Sequence, residues 1–150
     1  MGNNLFSEEE MGFATVVSDM IMAYRRISIP LWDSVGLTSG QPKILKYLVD
    51  HDGCNQKELS EMCRVEGATI TSLLVGLEKK GLVERKVLEN NRREKRIYLT
   101  ESGKAKVQDL VVAFRKLHEI CSAGLSKEEV AVFMGLCRRV SASLDQQSGT

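Results

Sequence analysis

The chain has 150 residues, 43% of them apolar and 27% charged, with a formal net charge of +1. That is one domain's length with enough apolar material for a real core. No run of 18 apolar residues occurs, which excludes a membrane-spanning helix, and the opening MGNNLFSEEEM lacks the basic start and apolar stretch of a secretion signal, so the expected location is the cytoplasm.

Helix starts punctuate the chain. Ser7 and Glu10, Thr38 and Gln41, and Ser126 and Glu129 are spaced as capping boxes, and Asn55 with Glu58 makes a looser version. After Ser7, Phe13, Val17, Met20, Tyr24, Ile27 and Leu31 recur at spacings of four and three, one apolar stripe on a long first helix. Pro30 predicts a kink or break near residues 26–30, and Gly36 closes the segment. A second helix is expected from about Ser39 to His51, with Pro42 tolerated in its first turn. DGCNQ reads as a loop, followed by a short third helix, about Gln56 to Cys63. A fourth runs from about Gly67 to Lys80, with Ile70, Leu73, Leu74 and Leu77 on one face and Gly81 as its stop.

There the period changes. LVERKVL alternates as a strand, NNRRE is polar and turn-forming, and KRIYLT alternates again, which predicts a β-hairpin. Thr100 then caps a long helix carrying Val107, Leu110, Phe114, Leu117 and Cys121. After Gly124, a last helix carries Val130, Phe133, Cys137, Val140 and Leu144, and DQQSGT ends the chain as a frayed tail. The predicted fold is mainly α with a small β-hairpin wing: a winged helix-turn-helix flanked by long helices. The hairpin segment also concentrates the charge. Residues 79–106 hold 10 basic and 4 acidic residues, whereas residues 1–63 hold 5 and 9. A basic segment on a projecting hairpin is what a phosphate backbone attracts.

Over residues 37–106 the chain closely resembles the MarR family of bacterial transcription regulators. The resemblance rests on GLTSGQPKIL, NQKELSE, ATITSLLVGLEKKGLVER and NRREKRIYLTESGK, and VEGATITSLL is similar to the SlyA branch. It implies a single domain of homodimeric winged-helix architecture. Residues 37–106 would be its DNA-binding lobe, and the helical regions 7–36 and 107–146 its dimerisation part. It also implies pseudo-palindromic double-stranded DNA as partner, and release by a small aromatic ligand or an oxidant. Two positions depart from the family pattern. Asn91 stands where an Asp commonly anchors the wing arginine, and Glu94 stands where a small residue is usual.

The fourth helix is expected in the major groove, with Ala68, Thr69, Thr71 and Ser72 facing outward beside Val75. No Arg or Lys lies between residues 65 and 78, so bidentate guanine reading is unavailable from most of this helix, and small side chains favour A·T pairs. Arg93 is assigned to the minor groove, and Arg92, Lys95 and Arg96 to phosphates. Ser39, Gln56 and Lys57, at helix starts, are further phosphate candidates. Tyr24, Trp32 and His118 are the candidate lining of an effector pocket.

The 4 cysteines form no C-x-x-C pair, and His51 with Cys54 lacks a second ligand pair, so neither metal nor cofactor is expected. Cys121 and Cys137 read as small core hydrophobes. Cys54 and Cys63, close to the reading head, suggest a thiol-based redox regulator of the same fold as an alternative. A protein-interaction module whose wing grips an acidic partner is another. No paired carboxylates or nucleophile–base arrangement point to an enzyme.

Overall fold

A computed structural model describes residues 7–88 and 91–148. The elements run α1 (Glu8–Ser34), α2 (Gln41–Asp50), β1 (Cys54–Asn55), α3 (Gln56–Cys63), α4 (Gly67–Lys79), β2 (Val83–Leu88), β3 (Asn91–Leu99), α5 (Glu101–Ser122) and α6 (Lys127–Ser148). The chain divides into two compact units, Met1–Arg115 and Lys116–Thr150.

In the first unit, α2, α3, α4 and the sheet enclose a dry centre of Leu37, Ile44, Leu45, Leu48, Leu59, Ile70, Leu74, Leu77 and Ile97. Each of these helices buries one apolar face, and on α4 that face carries the predicted Ile70, Leu74 and Leu77. The loop DGCNQ contains more order than expected. Cys54 and Asn55 pair with Ile97 and Arg96 of β3, so the hairpin becomes a three-stranded antiparallel sheet in the order β1-β3-β2. A strand of two residues is too short for any period to announce it. The amide of Leu99 is held by Asp52 Oδ1 at 2.8 Å, which fastens the base of the wing to the same loop.

The hairpin is also longer on its return side than NNRRE implied, because β3 already begins at Asn91. Val87 pairs with Lys95 but Leu88 with Asn91, so Arg92, Arg93 and Glu94 fall outside the regular ladder. Such an irregularity bends a hairpin and raises its twist.

Caps explain the helix boundaries. Asn55 and Glu58 form a full capping box for α3: each side chain accepts the other's backbone amide, at 2.8 Å. Ser126 and Glu129 do the same for α6. Thr38 does not cap α2. The N-cap is Gly40, at φ 92, two residues beyond Thr38. Only half of the expected box exists, with Gln41 Oε1 accepting the Thr38 amide at 3.0 Å. Gly81, at φ 68, ends α4 as predicted. Its amide bonds to Glu78 and that of Leu82 to Leu77, a paired closure that needs a left-handed residue between. Pro30 does not break α1, which is helical to Ser34. Proline removes a single amide donor, and at an exposed position water can satisfy the carbonyl it leaves.

α1 is buried only toward its end, at Ser28 and Trp32 beside the predicted stripe, where the Trp32 ring packs 4.9 Å from Phe114. Phe13, Met20, Tyr24 and Ile27 are exposed within the chain. In the second unit, Val132, Phe133, Leu136 and Leu144 of α6 are likewise exposed. Cys121 is exposed rather than a core residue, and Cys137 is half-buried. The apolar periodicity of α1 and α6 therefore runs along largely exposed faces.

Candidate nucleic-acid interface

α3 and α4 meet through the turn Arg64–Val65–Glu66. Arg64 takes a left-handed conformation (φ 51, ψ 52), which lets its amide and that of Val65 close α3 onto Glu61 and Ser60. α4 then buries Ile70, Leu74 and Leu77, with Leu73 half-buried. With that face committed, Ala68, Thr69, Thr71, Ser72 and Val75 are all exposed.

A buried polar link fixes α4 against α2. Gln41 is 2% exposed. Its Oε1 accepts Lys80 Nζ at 2.8 Å and its Nε2 lies 3.5 Å from the Leu73 carbonyl. Lys80 also reaches the Gly36 carbonyl at 2.8 Å. On the other side, Arg85 of β2 lies 3.3 Å from Glu78 of α4. The exposed face therefore stands on a helix held from both sides.

The residues singled out as contacts fall into different situations. Ser39 and Lys57 are exposed at the entries to α2 and α3, Lys57 in a loose 4.0 Å pair with Glu61. Gln56 is half-buried, and its Nε2 donates to Thr71 Oγ1 at 2.6 Å. Lys95 is exposed on β3. Arg96 is drawn inward: it pairs with Glu94 at 2.5 Å and Glu58 at 3.4 Å, and donates to the Gly53 carbonyl at 3.3 Å. The side chains of Arg92 and Arg93 lie outside the described residues.

Sequence reasoning missed the links made by Gln41, Asp52 and Glu58. A buried glutamine beside a capping position was the one available signal, since Gln41 had been placed in a box that is only half formed.

The proposed effector residues differ in their surroundings. Tyr24 is 46% exposed, Trp32 is buried against Phe114, and His118 is exposed in the second unit. Cys54 and Cys63 are both buried. Burial pushes the Cys63 thiol up from its ordinary value. Burial and then the Glu58 carboxylate do the same to Cys54. Among the described residues, no cluster of His, Cys, Asp and Glu could hold a metal ion.

Residues 37–95 match the profile described as the MarR family. Members of that family are transcription regulators. One relative is the HTH-type transcriptional regulator YwaE of Bacillus subtilis, 28% identical over 88 residues. That match covers 59% of this chain and about half, 52%, of the relative. The fold resembles that of a MarR variant from E. coli complexed with operator DNA. Its TM-score is 0.79 at 24% identity, over 89% of this chain and 96% of that one. It also resembles PcaV from Streptomyces coelicolor in complex with its natural ligand. Here the TM-score is 0.77 at 25% identity, over 87% and 95% of the two chains. The MarR match spans α2 to the return strand of the wing, which contains the exposed face of α4 and Lys95.

Proposed function

We propose that this chain is a homodimeric repressor of the MarR family that reads pseudo-palindromic double-stranded DNA and releases it when a small aromatic ligand binds. The observation that carries the reading is the exposed row Ala68, Thr69, Thr71 and Ser72 on a helix braced from both sides, next to a basic hairpin. Small uncharged side chains at the groove and cations on the wing divide the work. The helix reads bases with a lean toward A·T, and the wing neutralises phosphates. In this reading Arg93 enters the minor groove, and Arg92 and Lys95 contact the backbone with Ser39, Gln56 and Lys57.

Residues 37–106 act as the DNA-binding lobe, and residues 7–36 and 107–146 as the dimerisation region. Exposed apolar side chains along α1 and α6 support that division, since such stripes need burial. The effector reading rests on PcaV, whose structure holds its natural ligand. Tyr24, Trp32 and His118 are the residues to test for it. The protein is expected to work in the cytoplasm, and no helix among the described residues is long and apolar enough to cross a membrane.

The oxidant-sensing alternative has less support. A reactive cysteine needs thiolate character and access, and Cys54 and Cys63 are buried with raised thiols. A wing that binds an acidic protein remains the other reading, and competition by duplex DNA separates the two. Selection of bound duplexes from a random pool is the primary test. Recovery of an inverted repeat with half-sites about one turn apart supports the proposal. Recovery of no enriched duplex overturns it.

A further inference from the structure

Thr71 sits in the middle of the exposed face of α4, and its hydroxyl is already in use. It donates to the Gly67 carbonyl one turn earlier, at 2.8 Å, and accepts from Gln56 Nε2 at 2.6 Å. A hydroxyl has one hydrogen and two lone pairs. If the Gln56 amide were turned about, that hydrogen would go to Gln56 Oε1 instead. In either arrangement the only proton of Thr71 is held inside the protein. Freeing it breaks the bond to Gly67 to make one with a base, with no net gain in hydrogen bonds.

Besides one lone pair, what Thr71 still presents is its methyl group. Ala68 lies three residues before it and Val75 four after it, and both are exposed. Positions i, i+3 and i+7 share one helix face, so the outward stripe of α4 is a row of methyls. In the major groove only thymine offers a methyl in return.

We infer that Thr71 reads a thymine through its methyl group, and that Gln56 is a positioning residue that locks the Thr71 rotamer from α3. The inference rests on the DNA-binding reading above and makes it specific. It also gives Gln56, placed among the phosphate candidates, a different task. Its amide holds a reading side chain in place, which fixes the register between α3 and α4.

The test uses the full chain and a duplex recovered by selection. Each thymine is replaced in turn by deoxyuridine, which lacks only the methyl. At one position per recognition helix the wild type should bind on the order of fourfold more weakly, the effect of losing one buried methyl contact. Thr71→Val keeps the methyl and loses the hydroxyl, so it should retain that discrimination. Thr71→Ser keeps the hydroxyl and loses the methyl, so it should bind thymine and uracil equally at that position. Gln56→Met should reduce the discrimination to about twofold without changing the salt slope, since no charge is removed. A purely structural role for Gln56 would weaken all duplexes alike, and that result overturns its assignment.

No uracil effect at any position, or specificity lost in Thr71→Val and kept in Thr71→Ser, overturns the methyl reading while leaving DNA binding intact. Failure to recover any duplex overturns DNA binding itself. The uracil series needs only the wild type, so a null result there overturns the methyl reading even if a variant misfolds.

Discussion

Lys80 and Gln41, at the two ends of the helix-turn-helix, are joined by a 2.8 Å hydrogen bond from ammonium to amide oxygen. The same oxygen accepts the Thr38 amide. Replacing Gln41 by Met keeps the volume but strands that donor and one bond of Lys80. The variant should lose about 1–3 kcal/mol of unfolding free energy, read from urea melts. A variant as stable as the wild type would show that water substitutes for the amide.

Gly103 makes a harsher test of the join between sheet and α5. A Cβ there would stand 2.0 Å from the carbonyl oxygen of Leu82. That oxygen also accepts the Thr100 amide at 3.1 Å, so it cannot simply turn away. Gly103→Ala should cost about 3 kcal/mol, at the upper end of overpacking effects. Thermal melts should show the loss. Gly67→Ala, with open space around the added methyl, is the matched control and should be nearly neutral or stabilising.

These two sites mark what the sequence could tell. The winged-helix order and the buried face of α4 were legible because they follow from hydrophobic period. So was the outward set Ala68, Thr69, Thr71, Ser72 and Val75, by subtraction. The fates of individual polar groups were not. Arg96 looked like its neighbour Lys95 in a basic run, but strand alternation and Glu58, 38 residues away, turn it inward. Nor could spacing foresee that Gln56 would meet Thr71. Pairings of that kind depend on how two helices dock, and a list of residues does not contain the docking angle.

Lys95 and Arg96 should therefore behave differently. Lys95→Ala should lower the magnitude of the log K against log salt slope by about 0.9, the share of one phosphate contact. Arg96→Ala should change that slope less. It should instead cost stability, about 1 kcal/mol for a partly exposed pair with an added carbonyl bond. Equal slope changes would return Arg96 to the DNA side.

Cys54 and Cys63 connect stability to alkaline pH. Both thiols are raised above 9.0, the ordinary value. The folded state thus holds its protons more tightly than the unfolded chain. Their contribution is complete below about pH 9 and is lost as pH climbs through the raised folded values. Cys63→Ala should show a shallower decline of stability than wild type above that pH, measured as a difference so that other groups cancel. Peroxide at neutral pH should leave DNA binding of wild type and Cys63→Ser alike. Release of DNA from the wild type alone would restore the thiol-sensing reading.

Arg93 carries the last expectation. It lies in the part of β3 that leaves the regular ladder, between the partners of Leu88 and Val87, where a bend can aim a tip away from the sheet. A narrow A·T-rich minor groove concentrates negative potential and attracts an arginine placed there. Arg93→Ala should weaken binding to many duplexes, most at sites with A·T-rich flanks. A phosphate contact alone would give the same loss on every flank, with a slope change of about one. Titrations on two operators that share half-sites and differ only in flanks, each at two salt concentrations, separate the cases. If both operators lose affinity equally, Arg93 touches the backbone, and the A·T preference must come from the methyl row on α4 alone.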